Sequence, residues 1–551
     1  MNLNPIAALR AELGAATAVL RAGRGEPAVA PTLERPPRPE LGDYSTNAAM
    51  LLAPVLGEAP RVIAERLGED LHGRLGARLE RVEVAGPGFL NLFLTDDWHR
   101  AALAEVLIAG DAWGAGGGVG GAERVLIEFV SANPTGPLTA AGGRHAAYGD
   151  ALARLLAFVG HEVGREYYFN DSGTQVRKLG ESVAARARGE GVPEGGYEGD
   201  YVRHLAAAFP GAADSDVDEL ARRAVDELRS GIRTTLERYG VTFDTWFSES
   251  TLHEGQPNAI ERAYAELEGH GALYESDDAL WLRTTAYGDD KDRVLRRSTG
   301  EHTYFAADIA YHLEKRERGF ERLINVWGAD HHGYVGRMKA AFEALGGDPE
   351  RLELIIMQFI NIVEHGERTS MSKRRGDFVT LDELIDDIGV DAARWFLLQR
   401  SHDTMIDLDL DLARQETNEN PVYYVQYAHA RIASMLVKAG GERVAVALEA
   451  CGAAGGAGGE EELHPSERAL VKKLLAFPAG VEEAIERRAP HRIAAYALEL
   501  AQEFTAFYRD CRVVGAEPEA LESWRIGVSV AARRTIARAL VLLGVSAPES
   551  M

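Results

Sequence analysis

Three short segments hold residues whose types and spacing could do chemistry. The first, "PTGPLTAAGGRHAAYGD" (Pro134 to Asp150), follows "RVLIEFV", an apolar run with the Val, Ile and Phe content of a buried strand. It turns through Gly and Pro into a helix, a common way of aiming backbone N–H groups at a phosphate. Its tip is Thr139, Ala140, Ala141 and Gly142, without the histidine or lysine that such a phosphate would want beside it. The second, "NVWGADHHGY" (Asn325 to Tyr334), ends an apolar strand in Gly328, Asp330 and the adjacent pair His331 and His332. The third, "ERTSMSKRRGDFVT" (Glu367 to Thr380), is a polar loop with Lys373, Arg374 and Arg375 beside Met371 and Ser372. Each alone also reads blandly, as a βα turn, a satisfied pair of polar histidines, or a solvated basic loop. Adjacent histidines point apart and no third ligand sits at suitable spacing, so no protein-held metal is expected.

The elements that must position these segments alternate along the chain. After a glycine-rich connector, "IAGDAWGAGGGVGGAE" (Ile108 to Glu123), strand-like and helical runs follow one another. They are "RVLIEFV", "ALARLLAFVG", "HEVGREYYFN", then "RLINVWGAD" and "YVGRMKAAFEAL". Such alternation predicts βαβ units and a parallel sheet with ligands at the carboxyl ends of its strands, where all three segments should fall. Before the connector lies a compact α+β module in which "GPG" (Gly86 to Gly88) punctuates two β-rich stretches. The region from about Leu179 to Arg238 is charged and helical, an insertion or a brace. From about Leu412 the pattern is helical almost throughout, with "CGAAGGAGGEEE" (Cys451 to Glu462) as a loose loop. No repeat of fixed period stands out.

With 551 residues, 46% hydrophobic and 26% charged, the chain is long enough for several domains of ordinary size. No run approaches the roughly 18 apolar residues of a membrane helix, and the first residues lack a secretory pattern. Two cysteines, Cys451 and Cys511, exclude a disulfide framework and a four-cysteine zinc site and fit a reducing compartment, so the cytoplasm is expected. A net charge of −25 argues against a protein that coats nucleic acid nonspecifically. Residues 415–551, with 15 Lys and Arg against 18 Asp and Glu, are nearly balanced.

Read in order, "EFVSANPTGPL", "REYYFNDSGTQ", "GVTFDTWFSES", "TYFAADIAYH", "NVWGADHHGY", "MSKRRGDFVTL", "SHDTMIDLDLDLA" and "NENPVYYVQYAHARI" resemble the class I aminoacyl-tRNA synthetases, and among them the arginyl-tRNA synthetases. The ending "LLGVSAPESM" is similar too, so the resemblance spans nearly the whole chain. It implies a multidomain α/β protein: an N-terminal α+β tRNA-binding module over 1–110, a Rossmann-like parallel-sheet catalytic domain over 122–411, and an all-α anticodon-binding domain over 412–551. The implied reaction joins L-arginine to ATP as arginyl-adenylate, releasing pyrophosphate, then passes the arginyl group to the 3′ end of tRNA(Arg). Mg²⁺ is expected to travel with the ATP, and the chain is expected to be a monomer.

Residue by residue, the resemblance makes Lys373 the second lysine of the family's "KMSKS" loop, with Met371 and Ser372 before it; Ser370 stands where the first lysine would be. The family's His-x-Gly-His turn is replaced by Thr139-Ala140-Ala141-Gly142. Candidates for the missing donors are Thr139 as a helix cap, first-turn amides made accessible by Gly142 and Gly143, and His145, whose side chain should lean back toward the helix start. Tyr304 and Asp308, four apart on one helical face, would hold the guanidinium. Glu128 and Asn133 would hold the other polar groups of arginine. ATP would meet Pro137, Gly142, Gly328, Asp330, His331, Met371, Ser372 and Lys373. For tRNA, "LGDYSTN" offers Tyr44 and Asn47, and the helical tail offers Tyr427, Arg431 and Met551, with Tyr423, Phe507, Tyr508, Arg509 and Arg512 as further parts. Deleting 1–110 is expected to weaken tRNA binding and leave the catalytic domain folded. Two rival readings are a tRNA-binding paralogue that has lost activation, on the strength of the absent histidines, and a small-molecule nucleotidyltransferase, which the helical tail disfavours.

Overall fold

The computed structural model describes residues 4–25, 29–116, 121–171, 173–369, 379–452 and 461–551. The N-terminal module comprises α1 (Pro5–Arg21), β1 (Tyr44–Thr46), α2 (Ala48–Leu56), α3 (Pro60–Leu75), β2 (Leu79–Ala85), β3 (Phe89–Leu94) and α4 (Asp96–Ala109). Asn4 starts α1 by accepting from the amides of Ile6 and Ala7. The strands form an antiparallel sheet in the order β1-β3-β2. The "GPG" turn is the β2–β3 connection, and Gly88, at φ 139°, lies so close to Pro60 that a Cβ would sit 2.7 Å from it. The glycine-rich connector begins docked: Trp113 is buried and its indole N–H donates to the Leu474 carbonyl at 3.1 Å.

The middle of the chain alternates as its pattern predicts. In order come β4 (Arg124–Glu128), α5 (Ala140–Phe158), β5 (Glu162–Phe169), α6 (Thr174–Ala187), α7 (Asp200–Ala208), α8 (Val217–Arg238) and β6 (Thr245–Ser248). Then follow α9 (Ala259–Gly269), β7 (Leu273–Ser276), β8 (Ala279–Leu282), β9 (Arg293–Arg296), α10 (Tyr304–Glu317), β10 (Arg322–Gly328), α11 (Val335–Ala344) and β11 (Leu352–Met357). Among the described residues the central sheet has five strands in the order β11-β10-β4-β5-β6, every pair parallel. Parallel strands need covering on both faces, which explains the near-continuous apolar character of β4 and β10. Helices α6, α7 and α8 bury a cluster of their own, including Leu179, Val202, Leu220 and Val225, so the charged insertion is a small helical unit.

One expectation is corrected. The third segment does not leave the central sheet; β12 (Ile360–Glu364), β13 (Glu367–Thr369) and β14 (Ile406–Asp409) form a separate sheet in the order β13-β12-β14. Between β13 and β14 lies α12 (Leu381–Leu398). Residues 370–378 lie outside the described residues, and with them Ser370, Met371, Ser372, Lys373, Arg374 and Arg375. The two sheets are tied by Arg144 of α5, which is 1% exposed. Its guanidinium donates to the carbonyls of Gln358 at 2.6 Å, Ser401 at 2.9 Å and Thr404 at 2.8 Å.

After α13 (Leu410–Ala413) the chain is helical: α14 (Pro421–Ala439), α15 (Gly441–Gly452), α16 (Pro465–Leu475), α17 (Phe477–Glu486), α18 (His491–Asp510) and α19 (Glu519–Leu543). Cys451 and Gly452 end α15, and 453–460 lie outside the described residues. A single apolar cluster runs from α1 and α4 through the sheet and α5 into α14, α16, α18 and α19. No described helix is long and apolar enough to cross a membrane.

Candidate active site

The carboxyl ends of β4, β5 and β10 open into a cavity of about 520 Å³. Its lining brings together seven residues singled out in the sequence: Glu128, Asn133, His145, Tyr304, Asp308, Gly328 and His331. They come from β4 and its following loop, α5, α10 and β10, segments up to two hundred residues apart in the chain. Pro137, Thr139 and Gly142 line a smaller neighbouring cavity of about 150 Å³, and His145 reaches both. Asp330 sits at the exposed rim, its Oδ1 3.1 Å from His331 Nδ1. Tyr304, at the start of α10, is 70% exposed and stands at the mouth.

The wall is acidic. Asp308 is raised to about 7, first by burial and then by the charges of Glu128 and Glu249, against the hydrogen bond from Tyr334 and the charge of Lys315. The Tyr334 hydroxyl donates to Asp308 Oδ2 at 2.5 Å. Glu249, just after β6, is also pushed up by burial, and the Tyr168 hydroxyl donates to its Oε2 at 2.8 Å. Glu128 differs. Fully buried Lys315 donates to its Oε2 at 2.6 Å, and Ser131 Oγ to its Oε1 at 2.9 Å. Lys315 also donates to Asn325 Oδ1 at 3.1 Å and lies 4.0 Å from the centre of the Tyr311 ring. A buried ion pair with its remaining donors used in this way is a satisfied one. Glu128 is thus compensated internally, while Asp308 and Glu249 present uncompensated acid to the cavity. That charge suits a cation.

Sequence reasoning missed Glu249, Lys315, Tyr168 and Tyr334. Glu249 lies in the quoted "GVTFDTWFSES", and Lys315 lies seven residues after Asp308, two turns along one helical face. Those spacings were signals; the partners of each, far away in the chain, were not.

At the turn, Thr139 caps α5, with Oγ1 accepting from the Gly142 amide at 3.3 Å. The Ala140 amide donates to the Val379 carbonyl at 3.0 Å and the Gly143 amide to Thr139 O at 3.0 Å. Of the first-turn amides expected to be open to an anion, those of Ala140, Gly142 and Gly143 are engaged within the fold. Gly142 is needed for space instead: a Cβ there would lie 2.5 Å from Leu138 Cδ1. His145 is half-buried, and burial, helped by the nearby charges of Arg144 and His331, lowers it to about 4. It is therefore a neutral imidazole at pH 7, with one ring N–H to donate.

The tRNA candidates divide. Tyr44 is buried edge-on against Trp98, 6.1 Å between ring centres, because β1 directs it into the module's core; as placed it presents no surface. Asn47 is half-buried and its Oδ1 accepts from the Thr32 amide at 2.9 Å, bracing a loop. The exposed aromatic of the module is Phe89, 40% accessible, beside Arg35, Ser45 and Asn91 on a cavity of about 290 Å³. In the helical domain Tyr427, Arg431 and Met551 do converge, on a cavity of about 670 Å³ shared with Tyr508 and Arg512. Tyr423 and Tyr427 stack with ring planes 9° apart, and the Arg431 guanidinium lies 4.4 Å from the centre of Tyr508. Phe507 is buried core.

Comparison with known proteins agrees over the whole chain. Residues 6–94 match the family described as arginyl tRNA synthetase N terminal domain, 201–435 the class I (R) tRNA synthetase catalytic domain, and 425–551 the DALR anticodon binding domain. The arginine–tRNA ligase of Carboxydothermus hydrogenoformans is 45% identical over 533 residues, 94% of each chain. That of Bacillus licheniformis is 43% identical over 557 residues, 97% of each. Among solved structures, the Thermus thermophilus arginyl-tRNA synthetase superposes with a TM-score of 0.76 at 26% identity, covering 99% of both chains. Domain by domain and along its full length, the chain belongs to the arginyl-tRNA synthetase family of class I aminoacyl-tRNA synthetases.

Proposed function

We propose that the chain, an arginine–tRNA ligase, uses the acidic cavity at the strand ends to take arginine and the neighbouring α5 turn to take ATP. The observation that carries this is the pair of uncompensated carboxylates, Asp308 and Glu249, in one cavity beside a helix start. A guanidinium is a planar fork of donors and seeks such acceptors. Asn133 and Ser131, on the loop after β4, lie where the α-amino end of arginine would be held, and Tyr304 closes the mouth.

In the first step a carboxylate oxygen of arginine bonds to the α-phosphorus of ATP and the bond to the pyrophosphate oxygen breaks. Developing charge on the phosphates needs donors. His145, neutral, donates one N–H; the Thr139 hydroxyl donates a second; Lys373 brings a positive charge. Gly328, His331 and Asp330 flank the nucleoside, the carboxylate accepting from ribose hydroxyls. Magnesium enters as the counter-ion of ATP. In the second step a terminal ribose hydroxyl of tRNA attacks the arginyl carbonyl and AMP leaves. The Tyr427–Arg431–Met551 cavity reads unstacked anticodon bases, and the Phe89 and Asn91 surface meets the body of the tRNA. All these groups lie on one chain, so a monomer in the cytoplasm suffices.

The test is arginine-dependent ATP–pyrophosphate exchange with tRNA present, and charging of total tRNA with labelled arginine. Exchange and charging by the wild-type chain, both abolished or crippled in Asp308→Asn, support the reading. Binding of tRNA without either reaction would replace it with that of a non-activating paralogue.

A further inference from the structure

The cavity's two uncompensated carboxylates are arranged alike. Among the described residues, the hydrogen bond to the Asp308 carboxylate comes from Tyr334 and goes to Oδ2, and that to Glu249 comes from Tyr168 and goes to Oε2. In each case a phenol occupies one oxygen, and no protein donor meets the other among the described residues. The two phenols arrive from different elements. Tyr334 ends the turn after β10, with its ring against Phe305 and Trp327 and under the Arg337 guanidinium, 4.9 Å from the ring centre. Tyr168 stands on β5, stacked on Phe247 and packed against Tyr311. Packing on several sides fixes where each hydroxyl points, and so fixes which oxygen of each acid stays open.

We propose that Tyr334 and Tyr168 are positioning residues for amino acid selection: each pins one oxygen of an acid, so that the two open oxygens present a preset pair of acceptors matched to the two edges of a guanidinium. This rests on the reading of the cavity as the arginine site. A guanidinium offers donors on two edges of one plane and can satisfy both acids at once, whereas an ammonium is a compact point charge that meets them less well. A phenol donating to an ionised carboxylate also favours its ionised form. Asp308 needs that support, because burial and the charges of Glu128 and Glu249 push it toward its neutral form. Other groups facing it are Lys315, which opposes that push, the Tyr168 hydroxyl, and His145 and His331 on the same cavity. Arg293 and Arg337 act through Tyr334.

The experiment uses the full-length wild-type chain, Tyr334→Phe, Tyr168→Phe and Asp308→Asn, with Tm as the folding control. Arginine KM, kcat and the inhibition constant of lysine are measured in pyrophosphate exchange with tRNA, from pH 6 to 8.5. Loss of the Tyr334 hydroxyl moves Asp308 upward, and one unit of such a shift raises the arginine KM about fivefold at pH 7 and under about twofold at pH 8.5. The expected result is that alkaline rescue, with kcat nearly constant. In Tyr168→Phe the ratio of lysine inhibition constant to arginine KM falls. A KM rise equal at all pH values, a loss confined to kcat, or unchanged KM and lysine ratio in both variants overturns the proposal. If Asp308→Asn leaves the arginine KM untouched, it is the arginine site itself that fails; if Asp308→Asn raises KM and the two Phe variants do nothing, only the role of the phenols fails.

Discussion

At the scale of single residues, the proposed arginine site makes recognition a proton-linked event. Only ionised Asp308 attracts a guanidinium, and burial together with Glu128 and Glu249 raises it to about 7. Binding arginine therefore releases a proton when the pH is below that value, and the arginine KM climbs about fivefold as pH falls from 7 to 6, approaching tenfold per unit only below that. In Asp308→Asn the slope vanishes and KM is high throughout, by about 10- to 100-fold if one charge-assisted hydrogen-bonded contact of about 1.5–3 kcal/mol is lost. Steady-state KM across pH 5.5–8.5 checks both. His145 makes the opposite kind of prediction. With its imidazole lowered to about 4, it stays neutral through the working range, so kcat shows no inflection near the ordinary histidine value of 6.5. If it donates to the phosphates, His145→Ala lowers kcat by about 10²–10³ with little change in arginine KM. A fall under about threefold would leave the turn to Thr139 and Lys373 alone.

At the scale of elements, α5 is the part on which the proposed chemistry hangs, since Thr139 starts it and His145 projects from its second turn. Its register against the sheet depends on Gly149. A Cβ there would lie 2.2 Å from the Phe129 ring at the end of β4, and the ring, buried and packed against Phe243, has nowhere to go. Gly149→Ala should cost about 1–3 kcal/mol through overpacking, seen as a lower Tm, and should lower kcat because the helix start shifts with the helix. Adding Phe129→Leu should recover part of both. This element shows what could and could not be read in advance. The alternation of "RVLIEFV" with the alanine-rich helix named the strand, the helix and the turn between them, because periodicity is local. The need for a glycine at 149 was invisible, because its reason is a ring twenty residues away. Lys315 was overlooked for the same cause: its partner Glu128 is nearly two hundred residues distant. The inward turn of Tyr44 is not legible either, because a three-residue strand gives too little alternation to say which face of it is buried. A helix start leaves donors over in general; Thr139 is legible as the cap that claims the Gly142 amide, but the Val379 carbonyl that claims the Ala140 amide lies too far away in the chain to be read in advance.

At the scale of the whole molecule, the tRNA-facing module and the anticodon domain touch each other directly. Helix α4 packs against α15, α16 and α19. Within that contact Asp43, just before β1, pairs with Lys472 of α16 at 2.9 Å, both buried, with His99 Nε2 3.6 Å away. Arg468 of the same helix pairs with Asp96 at 2.7 Å, and the Trp113 indole reaches Leu474. The two surfaces proposed to meet tRNA are thus linked through α16. This changes what truncation should do: removing 1–110 strips α4 from the apolar faces of α16 and α19, so the helical domain loses stability along with tRNA contacts. The ion pair gives the sharper test. Lys472→Met leaves Asp43 a buried, half-partnered acid, which typically costs about 3–5 kcal/mol. Asp43→Asn combined with Lys472→Met removes the stranded charge and should recover much of that loss. Asp43 is held far below the usual carboxylate range by His99, Lys472 and the Leu94 amide, against its burial. A carboxylate depressed in the folded state contributes stability above its unfolded value of about 4 and loses it as pH falls toward the folded one. The module's docking should therefore be insensitive from pH 8 to 5 and weaken only in stronger acid in the wild type. In the double variant that acid sensitivity should disappear. Hydrogen exchange of α4 and α16 amides, followed against pH in both proteins, reads the docking directly; equal acid sensitivity in the two would mean that apolar burial, and not the Asp43–Lys472 pair, holds the surfaces together.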